Sequence, residues 1–131
     1  MTRNRKSAKD AGARFESAVA AYLASALNDE RIERRVKHGK NDTGDIAGVR
    51  LHGNRVVIEC KNRRPRNEVG AIREAEIERK NDDADFGVAV LKVDGVGMTP
   101  ERMGEQLACM SLETFAAICA GGRDLMGVDH E

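Results

Sequence analysis

The residues that most constrain this chain are Val56-Val57-Ile58-Glu59-Cys60-Lys61. Three β-branched residues in succession favour a buried strand. The strand then carries a carboxylate and an ammonium two positions apart, and period-2 alternation projects Glu59 and Lys61 from the same face. Charged groups at the end of an apolar strand are costly to desolvate, which points to chemistry rather than packing. The chain then turns basic, with Arg63, Arg64 and Arg66 around Pro65. The plain reading of those arginines is a solvated charge run. Beside a strand end that carries paired charges, gripping the phosphates of a polyanion is the favoured one.

A length of 131 residues accommodates one domain with a real core. Trp is absent and the aromatic residues are Phe15, Tyr22, Phe86 and Phe115, too few for a single-strand binder built on base stacking. No apolar run approaches the roughly 20 residues of a membrane span, and no signal-peptide core follows the basic start, so a cytoplasmic protein is expected. Cys60, Cys109 and Cys119 lack metal-ligand spacing and are expected to be reduced thiols in the core. The zero net charge conceals a division. Residues 1–66 hold 16 Lys/Arg against 8 Asp/Glu, and residues 67–131 hold 6 against 14. A basic half suggests a polyanionic partner, an acidic half a solvated back or a subunit interface.

Residues 1–10 are expected to form a flexible basic arm, with Arg3, Arg5 and Lys6 available to a phosphate backbone or merely solubilising. A single domain over 11–122 and a loose tail over 123–131 complete the organisation. Apolar positions Phe15, Val19, Tyr22 and Ala26, widened by Leu23 and Leu27, predict a helix over 7–28 with Glu16 at the margin of its stripe. Strands are expected over 31–38, 45–51 and 55–61, the first two separated by a loop at 39–44. A helix follows over 67–85 with Val69, Ile72, Ala75 and Ile77 as its apolar positions, then a strand over 86–93. A short strand near 106–110 and a helix over 112–120, with Ser111 as N-cap, close the fold. The strand–helix–strand unit predicts a parallel crossover, giving an α/β domain with a central mixed sheet and the order αβββαβ plus a short strand and helix.

The hairpin register carries functional weight. A three-residue loop, His52-Gly53-Asn54, pairs Leu51 with Arg55, sets Asp45 opposite Lys61, and leaves Glu59 one step along on the same face. A two-residue loop breaks that parity and sends Asp45 to the other face. With the first register, Glu16, Asp45, Glu59 and Lys61 converge. Carboxylate oxygens of this kind suit a hard cation such as Mg²⁺, with Mn²⁺ as an alternative and the Cys60 carbonyl as a further ligand. Such an ion polarises a phosphate and acidifies water, while Lys61 orients or deprotonates that water or steadies developing charge. Lys37 and Lys40 border the loop into Asp45 and could reach the same backbone; His38 is most simply a surface residue.

Gly44-Asp45, then Glu59-Cys60-Lys61 after 14 residues, then a helical Gly-Ala-Arg-Phe-Glu at 12–16 together resemble the PD-(D/E)XK nuclease superfamily. Gly-Asp-Ile-Ala-Gly and Val-Val-Ile-Glu-Cys-Lys look most like the archaeal-type and phage Holliday junction resolvases. The resemblance spans roughly residues 12–93. It implies a restriction-endonuclease-like fold, Asp45 and Glu59 as metal ligands, Lys61 as catalytic lysine and Glu16 as the helix carboxylate. It also implies a homodimer that resolves four-way DNA junctions without an organic cofactor. Two departures stand out: Gly44 occupies the place of the motif proline, and the later helix offers Glu74, Glu76, Arg79 and Lys80 where relatives often place a glutamine or lysine. The alternatives are a restriction- or repair-type nuclease acting on duplex or flapped DNA, and a non-catalytic junction-binding module. The acidic second half and the strand at 86–93 are the candidate dimer surfaces.

Overall fold

One mixed sheet of six strands, flanked by three helices, organises the chain. The computed structural model describes residues 4–35 and 43–127. Lys37, His38, Lys40 and Arg3 lie outside the described residues. The elements are α1 (Arg5–Ala26), β1 (Glu33–Arg34), β2 (Ile46–Ala47), β3 (Arg50–Leu51), β4 (Asn54–Lys61), α2 (Glu68–Asn81), β5 (Phe86–Leu91), β6 (Leu107–Cys109) and α3 (Leu112–Ala120). The sheet runs β1-β2-β4-β5-β6, with β3 also paired to β4. The expected crossover is present: β4 and β5 are parallel, joined through α2.

Alternation along β4 gives each helix its own face of the sheet. Ile58 and Cys60 pack with Ile46, Val49 and Met103 against Phe15, Val19 and Ala20 of α1. On the other face, Ala89 and Leu91 of β5 pack with Ala71 of α2. Glu59 and Lys61 pair with Ala89 and Leu91 in the parallel register. In-register neighbours project to the same side of a sheet, so both charged residues face α2.

Several boundaries differ from the sequence expectation. Asn4 caps α1 by accepting the Ser7 N–H at 2.8 Å, so Arg5, Lys6 and Lys9 ride on the first helical turns rather than on an arm. The apolar stripe of α1 is buried only in its first half; Tyr22, Ala26 and Leu27 are exposed. In α2 the buried residues are Ala71, Ala75, Glu78 and Arg79, whereas Val69 and Ile77 face solvent. The strand at 86–93, a candidate dimer surface, is an interior strand between β4 and β6. Of the three reduced thiols only Cys60 is buried; Cys109 is half-buried and Cys119 exposed. The tail is fastened at its start. Arg123 donates through its backbone N–H to Asp85 Oδ2 and through Nε to the Asp85 carbonyl, and its guanidinium also pairs with Glu113.

The hairpin combines both registers weighed from sequence. Its turn has two residues, His52 and Gly53, both at positive φ, so Leu51 pairs with Asn54 and Arg50 with Arg55. Farther along, Ile46 pairs with Ile58. The partner sum has dropped by one, from 105 to 104, so one residue is accommodated between the two pairings. That accommodation falls at Gly48-Val49, which splits the expected single strand into β2 and β3. Gly48 has φ +91, and a Cβ there would stand 2.6 Å from the Arg31 carbonyl oxygen. The bulge restores the parity that the short turn removes. Extended by one residue, the β2 register brings Asp45 beside Glu59 rather than opposite Lys61.

Candidate active site

β2 stops pairing where β4 still has residues to run, so the end of β4 borders an open cleft. That cleft, of about 310 Å³, is lined by Glu16, Asp45, Glu59, Cys60, Lys61 and Arg63, with Lys9 and Gly12 of α1 on its wall. All four residues expected to be catalytic therefore border one space.

Each is held differently. Asp45 is 6% exposed, and its Oδ2 accepts the Cys60 N–H at 2.8 Å. The bond fixes the carboxylate against the edge of β4. It also shows that the Cys60 peptide faces this edge, while the Lys61 carbonyl accepts the Lys92 N–H on the other. N–H and C=O of one strand residue point the same way, so the Cys60 carbonyl is on the Asp45 side, as a ligand role needs. Gly44 makes the approach possible. Its φ is +97, and a Cβ would lie 2.9 Å from Val57 Cγ1 and 3.2 Å from the Ile58 carbonyl oxygen. A proline, locked near φ −65°, cannot adopt this backbone, so the conformation seen at position 44 excludes it.

Glu59 is 5% exposed and meets Lys61 Nζ through Oε2 at 3.0 Å. Its other oxygen, Oε1, is buried without a hydrogen bond. Burial, then the negative charge of Asp45 and that of Glu78, push Glu59 up to about 10 against the pull of Lys61. At neutral pH this carboxyl holds a proton, the response expected of a buried acid beside other acids. Burial acts to lower Lys61, but its hydrogen bonds to Glu74 and Glu59 outweigh that and hold its pKa above the ordinary lysine value. Glu74 Oε2 lies 2.5 Å from Lys61 Nζ, and the contact holds Glu74 below the usual carboxylate range against the effect of burial. Glu16 accepts from Arg34 Nε at 2.9 Å. Burial pushes the Cys60 thiol up, so it stays protonated and offers no thiolate.

α2 resolves the choice that sequence left open. Glu74 is the residue of the four that reaches the site. Glu76 is turned away to Arg79 and Thr114, and Arg79 also donates to the Ala84 carbonyl. Glu78, which sequence reasoning did not single out, is 4% exposed and belongs with Glu59 and Glu74 to a trio whose carboxylate oxygens lie within 4.8 Å of one another. Its signal was present: Ala71, Ala75 and Glu78 fall at i, i+4 and i+7. Two oxygen sets thus share Glu59. Lys61 bridges Glu59 and Glu74 in the α2 set, whereas among the described residues Asp45 has no ion-pair partner; the Asp45–Glu59 pair is the better fit for a divalent cation.

The arginines after β4 separate. Arg63 borders the cleft; Arg64 pairs with Asp94 at 3.0 Å and Arg66 with Glu68 at 3.3 Å, both at exposed positions. Arg5 and Lys6 are exposed on the first turn of α1, ahead of Lys9 at the cleft wall. No family model matches the chain, and comparison with curated proteins and with solved structures finds no match. No helix among the described residues is long and apolar enough to cross a membrane.

Proposed function

We propose that this protein is a metal-dependent endodeoxyribonuclease of the restriction-endonuclease-like fold, selective for branched DNA in the manner of Holliday junction resolvases. The observation that carries the proposal is the pair of buried carboxylates, Asp45 and Glu59, opening on one cleft with Lys61 on the same strand face as Glu59. The donor set fits a hard divalent cation. It consists of carboxylate oxygens, one of them, Glu59 Oε1, buried and unbonded, and the peptide of Cys60 faces the same edge. Asp45 and Glu59 would hold Mg²⁺ or Mn²⁺, with Glu16 and the Cys60 carbonyl completing the oxygen set. When bound, such an ion neutralises phosphate charge and lowers the pKa of water.

The chain's own groups divide the remaining work. Lys61, kept protonated by Glu74 and Glu59, steadies the negative charge that gathers on the phosphate oxygens rather than acting as a base. Arg63 at the rim neutralises and orients the strand. Glu16, tethered to Arg34, must exchange that partner to reach an ion, which makes it the adjustable member of the set. Junction preference, and the homodimer that paired cuts require, rest on the sequence resemblance. The same residues would serve a nuclease acting on duplex or flapped DNA.

The test is to incubate the wild-type protein with a labelled four-way junction, a matched duplex and a flap, each in Mg²⁺ and in EDTA. Paired, metal-dependent nicks confined to the junction are expected. Equal cutting of duplex or flap would remove the junction assignment, and binding without cutting in any divalent metal would remove the enzyme.

A further inference from the structure

At the other end of β4 from Lys61 is a second polar cleft, of about 190 Å³, lined by Arg35, Gly48, Arg50, Arg55 and Asp82. Two guanidinium groups, those of Arg35 and Arg55, flank one carboxylate, and Arg50 lines the same cleft. Arg55 Nη1 donates to the Asp82 carbonyl at 2.7 Å and lies 3.5 Å from its Oδ1. Arg35 Nη1 donates to Thr43 Oγ1 at 2.7 Å and lies 3.6 Å from the same Asp82 oxygen. Arg50 Nη1 reaches only the Gly53 carbonyl, at 3.4 Å. Arg35 Nε is buried with no hydrogen-bond partner.

Two features set this cluster apart from an ordinary surface ion pair. Among the described residues lining the cleft, Asp82 balances one positive charge, which leaves an excess of two. Each guanidinium carries five N–H donors in a rigid fork, yet its bonds among the described residues use a single nitrogen of each. The unspent donors are gathered around a concavity, and a tetrahedral oxyanion could accept from several of them at once. The Gly48 bulge that sets Asp45 beside Glu59 also forms part of this wall, so one local distortion shapes both clefts.

We propose that this cleft binds a backbone phosphate of DNA, as a second anchoring point away from the cleaved bond. The six-residue interval from Arg55 to Lys61 at about 3.3 Å per residue places it about 20 Å from the catalytic lysine. That is far enough to engage a different strand or arm of the same nucleic acid. The inference rests on the nuclease reading for the identity of its ligand, but not for the existence of an anion site.

The experiment measures binding of a fluorescently labelled duplex in EDTA, where no cutting occurs, across a salt series for wild type, Arg50→Ala, Arg55→Ala and Arg50→Lys. Loss of one phosphate contact should lower the slope of log K against log salt by about 0.9. Each alanine variant is expected to show that reduction with weaker binding, and Arg50→Lys to recover part of it. Unchanged affinity and slope in both alanine variants would overturn the proposal. In parallel, thermal unfolding is followed in inorganic phosphate and in chloride at equal ionic strength. If wild type binds no DNA, the nuclease reading fails and the DNA-phosphate assignment with it. A phosphate-specific rise in Tm that Arg55→Ala removes would then leave a small-anion site, and no such rise would remove the site altogether.

Discussion

Helix α2 carries two sets of partly or fully buried charges, and they end in opposite condition. Toward β4 it presents Glu74 and Glu78 to Glu59 and Lys61, where acids outnumber bases and Glu59 Oε1 has no hydrogen bond. Toward α3 it presents Glu76. That carboxylate accepts from Arg79 Nε at 2.9 Å and Thr114 Oγ1 at 2.7 Å, with a longer contact from Ser111 Oγ at 3.4 Å. The contacts from Thr114 and Arg79 hold Glu76 below the ordinary carboxylate value even though burial acts to raise it. Both sets lie within a few residues on one helix, so composition does not explain the difference. A satisfied network contributes to the fold. An unsatisfied one lowers stability and is what a site looks like before its ligand arrives.

The comparison can be broken at its root by changing Gly48. With φ +91 and a Cβ position 2.6 Å from a backbone oxygen, Gly48→Val should cost about 2–4 kcal/mol. Whatever folds should lose the alignment of Asp45 with Glu59, detected as a lowered urea midpoint together with lost nuclease activity. A smaller effect is expected at the satisfied end. Glu76→Ala leaves Thr114 and Arg79 without their shared acceptor, and a loss of about 1–3 kcal/mol should appear in chemical denaturation. Smallest is Glu59→Gln. At about pH 4, where the carboxyl is protonated in the folded chain and largely so in the unfolded one, a neutral isostere should change stability by no more than about 0.5 kcal/mol without metal; toward neutral pH it should increasingly stabilise, because wild type gives up that proton on unfolding.

Opposite pH dependences sharpen the same contrast. Glu59 is raised from 4.5 to about 10, so the folded chain binds a proton that the unfolded chain releases. The associated stability is complete below about pH 4.5 and is lost as pH climbs through about 10. Glu76 is lowered, so its contribution is present above the ordinary glutamate pKa and is lost as pH falls through the folded value. Thermal unfolding from pH 3 to 10 should therefore show the alkaline decline flattened in Glu59→Gln and the acid decline flattened in Glu76→Ala. Mg²⁺ should also oppose the alkaline decline in wild type, because binding to Glu59 displaces its proton.

Much of this arrangement was legible in the residues, and the gaps have physical causes. The β-branched run located β4, Ser111 marked the start of α3, and the strand–helix–strand order gave the parallel crossover. Glu16, Asp45, Glu59 and Lys61 were expected together and do border one cleft. The register was wrong in detail. A bulge leaves no mark in a hydrophobic pattern, and Gly48 could only be understood once the Arg31 carbonyl was seen to occupy the space of its missing side chain. Glu78 is not singled out by sequence, and Arg79 only as one of four candidates to face the site, because charged residues are assigned outward by default. Arg79 goes inward when its guanidinium finds Glu76 and the Ala84 carbonyl. Conversely Val69 and Ile77, apolar but exposed, show that an apolar residue on a short helix need not define its buried face.

The most direct test of the central claim sets one variant at the cleft and one in the satisfied network of α2 against the wild type. Nicking of a labelled four-way junction in Mg²⁺ would be timed below the Tm of every protein, for wild type, Asp45→Asn and Glu76→Ala. Asn at position 45 can still accept the Cys60 N–H while removing the charge, so the fold should persist. The account predicts a rate about a thousand-fold lower or worse for Asp45→Asn with Tm unchanged, and a near wild-type rate for Glu76→Ala despite its lower Tm. If Asp45→Asn cuts at the wild-type rate, the cleft at the end of β4 is not a catalytic centre.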